Sequence, residues 1–442
     1  MDERRDVVVI GGGLAGLTAA ATAASGGRSV LLLDGHPAAN RAGTDLVGGY
    51  RFNRGAHALY RTGAGRAVLE RLGVPVRGRL PSLVGGYGRR GDVVDRLPLG
   101  PMSAVRTRLA PARATARLTR VLAGMHRWRP EQLADRTAAA WFDDLGLDGA
   151  ARQLVEMLAR TATYVADLDR VSADLVATQV RMAVTGNVLY LHGGWATLLD
   201  GLGRAGQGHG VERVAVAARS VEPDGGRVRV TVAAEGGDGG ERVVLAGAVV
   251  VAAGTPDACA SLLPARPAAW AGLGPHVHVA CLDLGLSRPP DVRVLLGLDR
   301  PLYLIRHAPP ADLAPAGGAV VHGMRYLHAD ERSTAAELRA SLEEHARLAG
   351  IEPDGAERSR YLHRMVACGA LPVPEAGGLA GRPSVADTGL DGVFVAGDWL
   401  GSAGHLADAA LATGEEAGRR AARHAAGDGQ PRPPGGRLVT HG

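Results

Sequence analysis

Asp6-Val7-Val8-Val9-Ile10, then Gly11-Gly12-Gly13-Leu14-Ala15-Gly16, then Ser29-Val30-Leu31-Leu32-Leu33-Asp34: these three runs decide the fold of the chain. The first is apolar and β-branched, as a buried parallel strand requires. It runs into a glycine turn, after which Ala15 to Ala24 is rich in the best helix former and stops at Gly26-Gly27. A second apolar strand follows and ends in an acid, so the order is β-α-β with GxGxxG in the turn. In such a unit Gly11 permits the tight turn and Gly16 lets helix and strand touch. Gly13 lets a pyrophosphate approach the amides of Leu14 and Ala15 at the positive helix end. Asp34 is then placed to hold the ribose hydroxyls of the adenosine. The plainer reading, a glycine-rich turn in a helix-sheet core, leaves Asp34 without a role.

Composition sets the outer limits. A chain of 442 residues can build two or three cores and bury a large cofactor. With 46% hydrophobic and 21% charged residues it is neither collagenous nor a coiled coil nor wholly disordered. All 50 basic residues are Arg and none is Lys, which closes Schiff-base chemistry and the lysine of a phosphate loop. The net charge of +5 is modest and the Arg residues are scattered, so nucleic acid is not an expected partner. Cys259, Cys281 and Cys368 are too few and too far apart for a disulfide framework or a metal site, which points to a reducing, cytoplasmic setting and to no metal. The run from Val7 to Ala24 is built of Gly, Ala and Thr around a glycine fingerprint rather than of the Leu, Ile and Phe of a signal peptide, and Asp2, Glu3 and Asp6 spoil a basic leader. The longest uncharged apolar run elsewhere, Val243 to Ala253, falls far short of the ~20 residues that span a bilayer.

Beyond Asp34 the chain reads Arg41-Ala42-Gly43-Thr44, then Gly49-Tyr50-Arg51-Phe52-Asn53 and Gly55-Ala56-His57-Ala58-Leu59-Tyr60. Far downstream come Gly392-Val393-Phe394-Val395-Ala396-Gly397-Asp398-Trp399 and Ala407-Asp408-Ala409-Ala410-Leu411-Ala412-Thr413-Gly414. Together with Gly193-Gly194-Trp195 and the strand Val249 to Ala253, in this order, these motifs resemble the FAD-dependent superfamily of phytoene desaturases and flavin amine oxidases, and more closely its phytoene desaturase-like branch. The resemblance covers most of the chain and implies FAD as cofactor. It implies that Arg41 neutralises the pyrophosphate and that Asp398, after Gly397, binds the ribityl chain. It also implies that the helix end at His405 and Leu406 faces the flavin pyrimidine, and that the backbone of the strand around Val214 meets the adenine. The sequence departs from the family at Ala39-Asn40, where two glycines are usual before the Arg. The strand and helix pattern around Asp398 is legible without the resemblance, since Val393 to Ala396 is apolar and an Ala-rich helix begins near Leu406.

The expected fold class is α/β: a Rossmann-type FAD-binding domain, with a parallel sheet, helices on its faces and a β-hairpin layer, joined to a discontinuous α+β substrate domain. The first is read from residues 1–80, 187–265 and 365–425, the second from 81–186 and 266–364, and 426–442 is read as a disordered tail. Val211 to Val216, Val228 to Ala233 and Val243 to Leu245 alternate like strands, with hairpin loops at Gly225-Gly226 and at Gly236 to Gly240. Strands at Val292 to Leu296 and Val320 to Arg325 surround a helix from Thr334 to Leu348, while Ser103 to Met182 reads as helical and Arg-rich.

Several side chains carry two readings. His57 is placed by the motif near the flavin, as a proton carrier or as packing. Trp399 and Trp195 either wall the flavin or fill core. Arg306 and Arg325 offer bidentate contacts to a substrate carboxylate, against the plainer reading of charges on strands. Cys368 reads as a buried structural thiol rather than a flavin attachment. The acid-free series Arg106, Arg108, Arg113, Arg117, Arg120, Arg127 and Arg129 suits either an anionic membrane surface or a solvated helix face. Pro111 breaks that stretch and large apolar anchors are sparse, so peripheral membrane contact is the secondary reading and a small water-borne or carrier-delivered molecule the expected substrate. The leading function is hydride transfer from a carbon of that molecule to FAD, forming C=C or C=N. The alternatives are a flavin amine oxidase, which the absence of Lys disfavours, and a non-catalytic binding protein of the GDP-dissociation-inhibitor type.

Overall fold

The computed structural model describes residues 3–55, 57–81, 85–233 and 240–427. Most of the loop read at Gly236 to Gly240, and the tail beyond Gly427, lie outside the described residues.

Val7, Val8 and Val9 have no exposed surface because their strand, Glu3–Ile10, is flanked on both sides. It pairs in parallel with Val30–Leu33 on one side and with Glu241–Val251 on the other. Glu212–Val214 extends the sheet beyond Val30–Leu33, and Val393–Val395 beyond the end of Glu241–Val251, which gives five parallel strands. The apolar runs read separately at Val243 and Val249 are one strand, since Ala246 and Ala248 between them are buried and pair with Arg5 and Val7. Its first half also carries the antiparallel Arg227–Ala233 and, beyond that, Ala218–Asp224, turning at Gly225-Gly226.

Helix Leu14–Ser25 covers one face of this sheet and crosses the C-terminal helix Ala407–Ala425 at very short range. A Cβ on Gly414 or Gly418 would lie 2.4 Å from the carbonyl oxygen of Ala15 or Ala19, so only glycine allows the approach. That crossing brings the N-termini of two helices from opposite ends of the chain to the same edge of the sheet.

The second sheet runs Arg358–Cys368, Val277–Leu286, Ala319–Leu327, Leu302–Ala308, Val294–Gly297, Tyr87–Arg90, Val93–Arg96. Its outer face, with Ala280, Leu282, Leu304 and Val321, is covered by helix Ala335–Leu348 through Leu338, Leu342 and Ala346. Thr334 and Glu337 close a reciprocal capping box at the start of that helix. The inner face, with Cys281, Tyr303, Ile305, Met324 and Tyr326, packs on a helical layer built from Ala138–Asp144, Gly149–Thr163 and Ala173–Gly186. In the Arg-rich stretch, helix Ala112–Ala123 buries Ala114, Thr115 and Leu118 and exposes Arg113, Arg117 and Arg120. Among the described residues no helix is long and apolar enough to cross a membrane.

Candidate cofactor site and substrate chamber

At the glycine turn the three glycines do different work. Gly11 has φ +108° and a Cβ there would sit 2.3 Å from the Ala252 carbonyl oxygen. On Gly16 it would sit 1.8 Å from the oxygen of Gly11, so both positions are closed by backbone. Around Gly13 a Cβ would meet nothing within 4 Å. Helix Leu14–Ser25 starts at Gly13 with no side-chain cap and no acid in its first turn, so its positive end opens onto free space. An anionic group fits that cradle through the amides of Leu14 and Ala15.

Where two glycines were expected before Arg41, Asn40 serves as a brace. Its Nδ2 donates to the Gly12 oxygen at 2.8 Å and its Oδ1 accepts from the Ala42 amide at 3.0 Å, tying the glycine turn to the Arg41 loop. Asp34 and Val214 meet at the sheet edge, where the Asp34 amide donates to the Val214 carbonyl at 2.9 Å. The Asp34 carboxylate is buried and Arg213 donates to its Oδ2 at 2.6 Å. Sequence reading missed Arg213, which reaches Asp34 only because the strands pair with Arg213 opposite Leu32.

Arg41 and Asp398, 357 positions apart in the chain, form a two-pronged pair: Nη1 to Oδ2 at 2.9 Å and Nη2 to Oδ1 at 3.4 Å. The Asp398 carboxylate raises the Arg41 pKa above its ordinary value, against the desolvation of its deep location. Yet 36% of the Arg41 side chain is accessible, compared with 5% for Asp398, so the guanidinium faces an internal space. The Gly369 amide also donates to Asp398, at 3.3 Å. Arg382, a second residue the sequence reading missed, is buried behind the site, where Nη1 donates to the Asp398 carbonyl at 3.0 Å and Nη2 to that of Gly404. Gly397 is pinned to the C-terminal helix by Thr413, whose hydroxyl accepts from its amide at 3.1 Å.

At the start of that helix His405 is buried, and its Nε2 donates to the Thr163 carbonyl at 3.0 Å. Desolvation pushes its pKa down to about 4, so the ring is neutral. Leu406 takes φ +51° and keeps accessible surface beside the inner-face core. The first turn contains Asp408, whose Oδ1 accepts from the Gly65 amide at 2.8 Å. It thereby caps helix Ala64–Arg71 rather than its own. Its Oδ2 has no partner among the described residues, and burial lifts its pKa to about 6.

His57 lies between this site and the second sheet. Its ring is 4.8 Å from that of Trp195, its Nδ1 donates to the Gly55 carbonyl at 2.8 Å, and Nε2 is left as the acceptor. Desolvation pushes its pKa down to about 4, so His57 does not titrate near neutral pH, which corrects the reading of a neutral-pH proton carrier. Although desolvated, His57 and Tyr164 keep accessible side-chain surface, as do Met365, Ala367 and Leu406; together with Arg41 they outline an internal chamber.

Three further expectations are settled by packing. Trp399 has no exposed surface and stacks edge-on against Trp270 at 4.8 Å in the core of the parallel sheet, so it does not wall the chamber. Arg306 and Arg325 are removed from the inner face because they share the outer-face positions of Leu304 and Leu327 and alternate with the inner-face residues Ile305, Met324 and Tyr326. Arg325 bonds Glu331 at 2.7 Å and Ser341 at 3.2 Å beside helix Ala335–Leu348, and Arg306 bonds the carbonyls of Pro309 and Pro290 at 3.1 and 3.0 Å. Cys368 is buried and desolvation lifts its pKa to about 12, which keeps it a thiol. Among the described residues no cluster of three or more His, Cys, Asp or Glu is placed to hold a metal.

The chain matches the NAD(P)-binding Rossmann-like domain over residues 9–72. No curated protein matches it by sequence. An oxidoreductase from Methanosarcina mazei superposes with a TM-score of 0.69 at 18% identity, over 93% of this chain and 99% of its own. Cyclohexylamine oxidase from Brevibacterium oxydans gives 0.69 at 17% identity, over 96% and 99%. A Rab GDI from Plasmodium falciparum gives 0.60 at 12% identity, over 94% and 98%. At these identities the likeness is one of fold: a Rossmann-like dinucleotide-binding domain joined to a second sheet, in the two-domain arrangement of the flavin oxidases.

Proposed function

We propose that the chain is a flavin-dependent oxidoreductase that takes hydride from a carbon of a small organic molecule, with FAD as its cofactor. The observation that carries this reading is the convergence at one chamber of the open cradle at Gly13, the Arg41–Asp398 pair and the start of helix Ala407–Ala425. The chain's own residues fit FAD. The amides of Leu14 and Ala15 with Arg41 suit a pyrophosphate, Asp34 and Asp398 suit the two sets of sugar hydroxyls, and Val214 and the backbone at His405 and Leu406 suit the two ring systems. Bound there, a flavin supplies the hydride acceptor. The protein's part is to exclude water and orient the substrate against the inner face of the second sheet.

Among the described residues, the charges around that face are compensated or suppressed: Asp283 is paired with Arg360, Arg41 with Asp398, and burial pushes the pKa values of His57 and His307 down. A substrate that is uncharged when it reacts suits such a chamber. This accommodates both oxidation of a carbon-carbon bond and oxidation of a neutral amine, the latter also supported by the likeness to cyclohexylamine oxidase. The reading of a binding protein of the GDI type is disfavoured by the cradle. Purified protein should be yellow and bleach under dithionite, whereas a colourless, folded protein would return the binding-protein reading to first place. Anaerobic reduction of the bound flavin across polyenes, amines and amino acids then identifies the substrate class, and the three separate cysteines support a cytoplasmic setting.

A further inference from the structure

We propose that Tyr164 selects the substrate: its ring, held in the chamber wall by a left-handed turn, packs against a planar, uncharged ring of the molecule that is oxidised. The inference rests on the oxidoreductase reading above and narrows its substrate from small organic molecules in general to ring-bearing ones.

Among the described residues four positions other than glycine have φ in the left-handed region: Tyr164 at +62°, Asn187 at +59°, Leu406 at +51° and Arg364 at +45°. Asn tolerates this conformation, whereas the other three hold it at a cost that surrounding structure must offset. All three shape the chamber wall. Arg364 sits in a bulge of strand Arg358–Cys368, where His363 and Arg364 together stand opposite Ala280 alone, between the pairs Leu362–Cys281 and Met365–Val279. The extra residue sends the Arg364 guanidinium to the Glu331 carbonyl at 2.9 Å and turns Met365 onto the inner face. Tyr164 and Leu406 each directly follow one partner of the bond from His405 Nε2 to the Thr163 carbonyl, so a single buried contact joins the two strained turns.

Tyr164 ends helix Gly149–Thr163, where its amide donates to the Arg160 carbonyl at 2.8 Å. A left-handed residue is ordinary at a helix end, but Gly or Asn supplies it without the strain. The cap therefore does not account for a Tyr. Tyr60 locks the same turn, its hydroxyl donating to the Ala162 carbonyl at 2.9 Å. Packing does not account for the ring either. Tyr326 lies nearly parallel to it, with ring centroids 6.2 Å apart, and is itself only 1% exposed, so the surface that Tyr164 keeps is turned away from Tyr326. Desolvation nevertheless lifts the Tyr164 hydroxyl pKa well above its ordinary value, as befits a side chain that faces an internal space rather than bulk water.

Of the other side chains at the chamber, Met365, Ala367 and Leu406 are apolar, burial keeps His57 neutral, and Arg41 is paired with Asp398. An aromatic ring in such surroundings favours a second planar group, offset-stacked or edge-on, over a flexible alkyl chain that loses rotamer freedom without a matching contact. Leu406 ties this wall to the cofactor site, because its backbone is the part that suits the flavin pyrimidine. A ring packed on Tyr164 is thereby held beside the hydride acceptor, and no charge is demanded of it.

The test uses two uncharged, inert probes, benzamide and hexanamide, with affinity measured by equilibrium dialysis and proximity to the cofactor by the shift in flavin absorption on binding. Wild type should bind benzamide more tightly than hexanamide and show the shift. Tyr164→Asn keeps a residue suited to the left-handed turn and removes the ring, so it should fold and bind benzamide roughly five- to tenfold more weakly, the upper range of one aromatic pair, with hexanamide changed less than twofold. Tyr164→Phe keeps the ring and should match wild type for both probes. Should Tyr164→Asn fail to fold, Tyr164→Leu gives the same comparison with apolar bulk in place of the ring. Equal weakening of both probes without the ring, loss of benzamide binding in Tyr164→Phe, or a wild type that binds neither probe or prefers hexanamide overturns the inference. Protein that takes up no flavin overturns the oxidoreductase reading instead, and dialysis of the two probes against it still decides whether Tyr164 selects a ring.

Discussion

The two halves of the chamber wall are built by opposite strategies. The proposed cofactor side is framed by backbone: amides of Leu14 and Ala15, glycines that must lack a Cβ, and helix ends brought together by Gly414 and Gly418, with Asp34, Arg41 and Asp398 set on that frame. The proposed substrate side is made of side chains on one face of a mixed sheet, with Cys281, Tyr303, Met324 and Tyr326 delivered by strand register. A backbone site needs particular residues at particular spacings and writes itself into the sequence. A side-chain site on a sheet needs only alternation, and many sequences alternate.

The largest effects should come from breaking the backbone half, where neighbouring glycines fail in different ways. Gly16→Val forces a Cβ against the Gly11 carbonyl oxygen at 1.8 Å, and should abolish folding, seen as loss of the cooperative thermal transition. Gly13→Val meets nothing in the protein and should fold with an unchanged melting temperature when both variants are compared without flavin, yet retain no FAD on desalting. Stoichiometric flavin in Gly13→Val would remove this turn from the cofactor site.

Next comes Asp408, where the chain carries a penalty near neutral pH. Its folded pKa of about 6 lies above the value of about 3.9 expected of an unfolded Asp, so between these the folded state binds the extra proton. Stability therefore falls as pH rises from about 4 to 6 and is flat above that. Asp408→Asn keeps an oxygen for the Gly65 amide and removes the charge, and should stabilise the protein at pH 7.5 by up to roughly 3 kcal/mol, with no gain at pH 4. Equal gain at both values would place the origin outside this ionisation.

This contrast explains what was legible. The β-α-β unit, the terminal strand at Val393, the helix after Leu406 and the capped helix at Ala335 each rest on local pattern, and each is found where the pattern placed it. Arg41 and Asp398 were both legible from motifs, but their mutual pairing was not, because it depends on strands from both ends of the chain joining one sheet, with Glu3–Ile10 and Val393–Val395 on either side of Glu241–Val251. Arg213 and Arg382 were missed for the same reason: an Arg among 50 basic residues carries no local mark of the carboxylate or carbonyl it will meet. On the second sheet, register decides function. Arg325 and Met324 are neighbours, yet one faces helix Ala335–Leu348 and the other the inner core.

Asp398→Ala sharpens the comparison where the two halves meet. It removes an acceptor from the sugar hydroxyls and leaves Arg41 without its partner. FAD affinity should fall by roughly ten- to a hundredfold, the range of one charge-assisted hydrogen bond at about 1.5–3 kcal/mol. Titration of apoprotein with FAD, followed by flavin fluorescence quenching, measures it. Unchanged affinity would take Asp398 out of the site.

The smallest effect should come from the face that looks away. Arg325 pairs with Glu331 and touches Ser341 beneath helix Ala335–Leu348, with 26% of its side chain exposed and that of Glu331 at 9%. Arg325→Gln keeps a hydrogen-bond donor there but loses the charge, and a partly solvated ion pair of this kind contributes less than about 1 kcal/mol. Chemical denaturation should register that loss and no more. The rate of flavin reduction and the KM for an anionic substrate should stay within twofold of wild type, because the whole thickness of the sheet separates this guanidinium from the inner face with Tyr303 and Met324. If KM for a carboxylate substrate instead rose tenfold or more while KM for a neutral one did not move, the outer face would be a recognition surface. The assignment of chemistry to the inner face alone would then fail.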